Sequence, residues 1–125
     1  MTNSENKALK WLKNKYPGAF IHKVADYKQI GHGGNKGIPD YLVVFKGKTI
    51  WYEVKMVKSK KIFNFSEIND NQWIVFRHLF NAGANINVLV LDGNNKWNIC
   101  PFSFIYYLKT NEIEFLKFSD FVEPL

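Results

Sequence analysis

Pro39-Asp40 opens one apolar run of this chain, and Glu53-Val54-Lys55 closes the next. Two carboxylates and an ammonium brought together by a short hairpin form a site for a hard divalent cation and a phosphodiester. Magnesium takes oxygen ligands octahedrally and keeps several waters, so one or two carboxylates plus substrate phosphate suffice. A metal held this way lowers the pKa of a bound water and stabilises charge building on phosphate oxygens. Lys55, two residues past Glu53, would orient the nucleophile or neutralise the phosphorane. The plain alternative is a surface strand with a cross-strand acid–lysine pair.

The hairpin decides between these readings. Strands are expected over residues 38–45 and 49–57, joined around Lys46-Gly47-Lys48. Side chains alternate between sheet faces, so Tyr41, Val43, Phe45, Ile50, Tyr52 and Val54 share one apolar face. Asp40, Leu42, Val44, Trp51, Glu53 and Lys55 share the other. A two-residue Lys46-Gly47 turn pairs Phe45 with Lys48 and Asp40 with Glu53. A three-residue turn would set Asp40 opposite Val54 and drive one acid into the apolar face. The apolar pattern and the chemistry require the same register.

The rest of the chain is expected to position that hairpin. Ser4 is a candidate cap for a helix to about Tyr16, ended by Pro17-Gly18, with Leu9, Leu12 and Tyr16 as its stripe. Residues 19–25 read as a strand, and the glycine-containing run 29–36 as a mobile loop. After a polar loop, Asn69 caps a helix from Asp70 to about Ala82, with Gly83 as its stop. Residues 86–91 and 96–100 form a hairpin, and Pro101 starts a short helix over 102–108. The tail from Phe102 to Phe121 is aromatic-rich and suits either an interface with a second copy or the monomer's core. The order α-β-β-β-α-β-β predicts an α/β or α+β domain, a mixed sheet with helices packed on it.

At 125 residues, 46% hydrophobic and 17% aromatic, the chain has the length of one domain, residues 1–125, with its own core. Its single cysteine, Cys100, excludes an internal disulfide framework and fits a reducing compartment. With no apolar leader or membrane-length segment, a soluble intracellular (cytoplasmic) protein is expected. A net charge of +6 suggests a polyanion partner. Lys58, Lys60 and Lys61 directly follow the acid-bearing strand, and Lys7, Lys10, Lys13 and Lys15 lie on the first helix. Phosphate contact and simple solvation are both open for the helix lysines. Lys36, at the end of the glycine loop, has the same two readings. His22, His32 and His78 lack zinc-ligand spacing. The four tryptophans and Cys100 read as packing residues.

PD at 39–40 followed by EVK at 53–55 resembles the PD-(D/E)XK nuclease superfamily. More narrowly, GIPDYLVV, WYEVK and NQWIVFRHLFNAGANINVLV resemble its VRR-NUC and Holliday-junction-resolvase-like branches. Those branches carry a glutamine at the start of the helix after the catalytic strand and an Ala-Gly at its end, here Gln72 and Ala82-Gly83. The resemblance spans about residues 4–92. It implies a restriction-endonuclease-like fold, a central mixed β-sheet flanked by α-helices. It also implies Mg²⁺ (or Mn²⁺)-dependent hydrolysis of DNA by a structure-selective endonuclease, with branched DNA as partner and a homodimer for paired cuts. Asp40 and Glu53 become metal ligands, with the Val54 carbonyl as a further one, and Lys55 becomes the catalytic lysine. Gln72 supports nucleophile or substrate, although it is equally placed to close a capping box. Glu5 matches an acidic ligand on the first helix of relatives, and a glutamate there is also favoured by the helix dipole. Alternatives are a flap or nicking nuclease of a phage or mobile element, a nuclease acting on RNA, and a non-catalytic nucleic-acid-binding module.

Overall fold

A computed structural model of the chain describes residues 3–24 and 37–121, with side chains from Asn6 onward. The chain begins with helix α1 (Asn3–Lys15) and strands β1 (Phe20–Lys23), β2 (Tyr41–Phe45) and β3 (Lys48–Met56). Strand β4 (Ile62–Asn64), helix α2 (Asp70–Asn81) and strands β5 (Asn85–Leu91) and β6 (Trp97–Pro101) come next. Helix α3 (Phe102–Thr110) and strand β7 (Phe115–Lys117) complete the order. The main sheet runs β1-β2-β3-β5-β6 and is mixed: only β3 and β5 are parallel, linked by the crossover that carries α2. The fold is the expected restriction-endonuclease-like α/β arrangement, a mixed sheet flanked by helices.

The β2–β3 turn fixes the register. Lys46 and Gly47 have φ of 49° and 78°, the pair of positive values that a two-residue type I′ turn requires. Phe45 therefore opposes Lys48, and the ladder runs to Tyr41 opposite Tyr52. This register divides the hairpin between two cores. Tyr41, Val43, Ile50 and Tyr52 are buried against Ala8 and Leu12 of α1, with Val54 and Phe45 partly buried beside them. The Tyr16 and Tyr52 hydroxyls hydrogen-bond to each other between α1 and β3. On the opposite face, Trp51 packs against the core made by α2, α3 and the small sheet.

Two sequence expectations change. The first helix begins at Asn3, so Ser4 lies in its first turn rather than capping it, a one-residue difference at a helix end. Its apolar stripe holds as expected, with Leu12 buried and Leu9 and Tyr16 partly buried, and Ala8 joins it in the core. The polar loop after β3 contains β4, which pairs with β7 more than 50 residues later, Phe63 opposite Leu116. Three-residue strands carry too little pattern to reveal a partner so distant in sequence. The aromatic tail divides: Phe102 is buried and Tyr106, Phe118 and Phe121 pack against the same core, while Phe104, Tyr107 and Phe115 are exposed.

Gly37 closes the described part of the fold onto α2. Its φ is +95°, and a Cβ there would stand 2.6 Å from the Asn71 carbonyl oxygen, backbone that cannot swing aside. Gly18 has a similar φ of +81° with nothing within 4 Å. Gly18→Ala is expected to cost only the left-handed backbone penalty, about 1–2 kcal/mol. Gly37→Ala adds the clash and should cost measurably more in a urea titration. Equal losses would show that the first turn of α2 yields freely at Gly37.

Candidate active site

Asp40 stands just before β2. Its carbonyl accepts a hydrogen bond from the Val24 amide at 2.8 Å, which joins the β1 end to the mouth of the hairpin. Its carboxylate oxygen Oδ2 accepts from the Val54 amide at 2.9 Å. Continuing the ladder places buried Pro39 opposite Val54. Proline has no N–H to donate, so the ladder offers no donor to the Val54 carbonyl. The N–H and C=O of one strand residue point to the same neighbour, so that carbonyl lies on the Asp40 side of β3. The Pro-Asp pair thus ends the ladder and turns a carboxylate toward the space where it ends.

Glu53 is only 2% exposed. Its Oε2 accepts from Gln72 Nε2 at 2.8 Å and lies 3.3 Å from Lys55 Nζ. Its Oε1 is buried and, among the described residues, has no hydrogen-bond partner. Burial first, and then the charge of Asp40, push the Glu53 carboxyl up to about 8, while Lys55 and Gln72 act in the opposite sense. A partnerless oxygen and a neighbouring like charge are costs that a bound cation would reverse.

Gln72 ties this pair to α2. Its Oε1 accepts from Lys55 Nζ at 2.9 Å and from the Asn69 amide at 3.1 Å, while its Nε2 donates to Glu53. The amide orientation follows from its partners, since the reverse would set N–H groups against two donors and an oxygen against the carboxylate. The Asn69 side chain accepts in turn from the Gln72 amide at 2.9 Å, completing a capping box. Cap and site contact are therefore both made by one side chain. Lys55 donates one N–H to Gln72 and is ion-paired with Glu53, and among the described residues a further N–H remains for a ligand.

The donors fit a hard cation: two carboxylates and a backbone carbonyl are oxygen ligands suited to Mg²⁺ or Mn²⁺. Among the described residues no group of three or more His, Cys, Asp or Glu side chains converges, so an all-side-chain cage of that kind is not formed. His22 and His78 are exposed on β1 and α2 and do not join the site. Glu5 is in the first turn of α1, but its side chain lies outside the described set, and Lys36 and His32 lie outside the described residues.

Lys58, Lys60 and Lys61 are exposed on the loop leaving β3. That loop is pinned: the Gly93 amide donates to the Ser59 carbonyl at 2.7 Å, and a Cβ on Gly93 would meet the Lys58 carbonyl at 2.1 Å. The α1 lysines belong to a helix packed on the Tyr52 face, across the sheet from Glu53 and Lys55. Sequence reasoning missed Lys23, whose ammonium is 3.8 Å from Asp40 Oδ1. No sequence pattern pointed to it: the contact follows from the β1–β2 ladder, which pairs Lys23 with Tyr41, the residue after Asp40. Cys100 is buried with its thiol pushed up to about 12 by burial, a packing residue as expected. No helix among the described residues is long and apolar enough to cross a membrane.

Among solved structures, the chain is similar to Hjc of Archaeoglobus fulgidus, a Holliday junction resolvase from an archaeal hyperthermophile. The match has a TM-score of 0.55 at 22% identity and covers 82% of this chain and 78% of that one. The two share a fold. No protein-family model and no curated protein matches the chain.

The strained carboxyl has a pH signature in metal-free protein. A group whose folded pKa is raised contributes stability that is complete below its unfolded pKa and is lost as pH rises through the folded value. For Glu53 the loss should run from about pH 4.5 to beyond about 8 and amount to a few kcal/mol at most. In EDTA, wild type is expected to lose thermal stability relative to Glu53→Gln across that window, and Mg²⁺ should restore it at the alkaline end. A pH-independent difference between the two proteins would contradict this electrostatic account.

Proposed function

We propose that this chain is a Mg²⁺- or Mn²⁺-dependent endonuclease that hydrolyses DNA phosphodiester bonds, selective for branched DNA such as a four-way junction. The observation that carries the reading is the convergence of Asp40, Glu53, Lys55 and Gln72, with one Glu53 oxygen buried and unpartnered. The PD…EVK resemblance and the fold shared with a Holliday junction resolvase support it.

Asp40, Glu53 and the Val54 carbonyl would hold the metal, and Glu5 is the further candidate ligand from α1. When bound, the metal supplies an activated water and neutralises charge on the phosphate oxygens. Lys55 directs its remaining N–H at the phosphate or at the attacking water, and its charge offsets the growing negative charge there. Gln72 hydrogen-bonds both the Lys55 ammonium and the Glu53 carboxylate through one amide, which restricts both. Lys58, Lys60 and Lys61, with Lys36, would follow the DNA backbone, and their contribution should fall with salt. Two coordinated cuts in a symmetric junction call for two copies of the chain related by a matching two-fold axis. Such a substrate goes with an intracellular site of action.

A non-catalytic binding module would have no use for a carboxylate buried with an unmet oxygen, a desolvation cost that a polyanion nearby increases. The discriminating experiment is cleavage of labelled four-way junction, flap, single-stranded and linear duplex DNA, in Mg²⁺ and in EDTA. Paired symmetric cuts on the junction are expected in Mg²⁺ and none in EDTA. Asp40→Ala should lose at least about a hundredfold in rate while still binding. Gln72→Ala should lose about ten- to a hundredfold, mainly in kcat, because it disturbs the lysine rather than the metal ligands. Preference for the flap would move the assignment to a flap or nicking nuclease, and cleavage of RNA alone to an RNA nuclease. Unchanged cleavage in Asp40→Ala would overturn the site.

A further inference from the structure

A groove between α2 and α3 takes no part in the chemistry above. Asp70, Trp73 and Arg77 line it from α2, at spacings that place them on one face, and Tyr106 and Lys109 line it from α3. Its volume is about 460 Å³, within the range of pockets that hold small organic ligands. The aromatic wall is rigid. Trp73 packs on Phe102 with ring centroids 5.5 Å apart, and Tyr106 is held by Phe80 and Phe102 at 5.7 and 5.8 Å.

The cations are available. Lys109 Nζ lies 5.9 Å from the Trp73 ring centroid. It pairs with Glu114 at 2.6 Å, but both side chains are well exposed, so the pair is exchangeable. The Arg77 Nε makes one long hydrogen bond, 3.4 Å to the Trp73 carbonyl, and among the described residues no carboxylate pairs with its guanidinium. Asp70, two helical turns before Arg77, places an acceptor at the opposite end of the groove.

We propose that this groove binds one unpaired nucleotide of the DNA substrate, its base against Trp73 and Tyr106 and its phosphate on Arg77 and Lys109. The inference rests on the nuclease reading and adds to it a preference for branched DNA that also exposes an unpaired nucleotide. The chemistry favours a nucleotide over other ligands. An inorganic phosphate has no use for an indole and a phenol, and an apolar peptide would leave two cations and a carboxylate unmatched. Asp70 accepts hydrogen bonds from the N–H groups of a base edge and repels phosphate, so it sets the direction of the nucleotide in the groove. The link to the site is α2 itself: Gln72 in its first turn holds Glu53 and Lys55, and Asp70 and Trp73 of the same turn line the groove on another face of that helix.

The test compares a labelled duplex with and without a short single-stranded arm, by fluorescence anisotropy in EDTA, with 2-aminopurine at the first unpaired position. Wild type is expected to bind the arm-bearing duplex about tenfold more tightly, with 2-aminopurine quenched by stacking. Arg77→Gln and Tyr106→Leu should cut that preference to about twofold or less while leaving affinity for the arm-less duplex unchanged. Trp73→Leu should abolish the quench; because Trp73 also packs on the core, exposed Arg77 provides the variant free of folding effects. No arm preference in wild type, or one that survives all three substitutions, overturns the assignment. A groove-dependent preference without Mg²⁺-dependent cleavage would keep the nucleotide site and overturn the nuclease reading. Asp40-dependent cleavage with no arm preference would do the reverse. If the substitutions instead convert a dimer to monomer in sedimentation and leave the preference intact, the groove is a contact between copies and the proposal fails.

Discussion

The buried carboxylate of Glu53 governs the rest of the site. One of its oxygens is held by Gln72 and approached by Lys55, and the other has no partner among the described residues. A protein interior tolerates such a group only when surrounding structure fixes it in place or a ligand completes it. Here the fixing structure is extensive. The type I′ turn at Lys46-Gly47 sets the register, the register places Glu53 on the face opposite the α1 core, and Pro39 ends the ladder so that Asp40 faces β3. A shift of one residue along β2 or β3 would exchange the two faces and scatter the charges.

The second fixed point is the start of α2. Asn69 and Gln72 satisfy the orphan amides of the first helical turn, as any capping box does. The same Gln72 oxygen that accepts from the Asn69 amide also accepts from Lys55, so the helix start and the lysine share one acceptor. The cap cannot be altered without moving the lysine. Gly37, pressed against Asn71, brings the segment leading to Pro39-Asp40 onto that same turn. Both strands of the hairpin are thus referenced to one helix N-terminus, which gives the site its rigidity in a fold of this size.

Much of this was legible from sequence because it is local. Alternation over residues 41–54, a two-residue turn containing glycine and an Asn-x-x-Gln cap are short-range patterns, and each fixes side-chain direction. The α/β order was legible for the same reason. Contacts set by tertiary packing were not. Nothing in α1 says which sheet face it covers, so its lysines read as possible DNA contacts although they lie across the sheet from Lys55. The β4–β7 pair joins two three-residue strands remote in sequence, and Lys23 meets Asp40 only through the β1–β2 ladder. Gln72 read as either cap or site residue because sequence spacing does not show that one amide reaches both.

The central claim is that Asp40 and Glu53 together hold a divalent cation, and Mn²⁺ binding tests it without requiring a known substrate. Electron paramagnetic resonance of free Mn²⁺, titrated into wild type, Asp40→Ala and Glu53→Gln, reads the site directly. Saturable binding in wild type, lost in both variants, is the expected result. Equal binding in all three proteins would place any metal elsewhere and contradict the account.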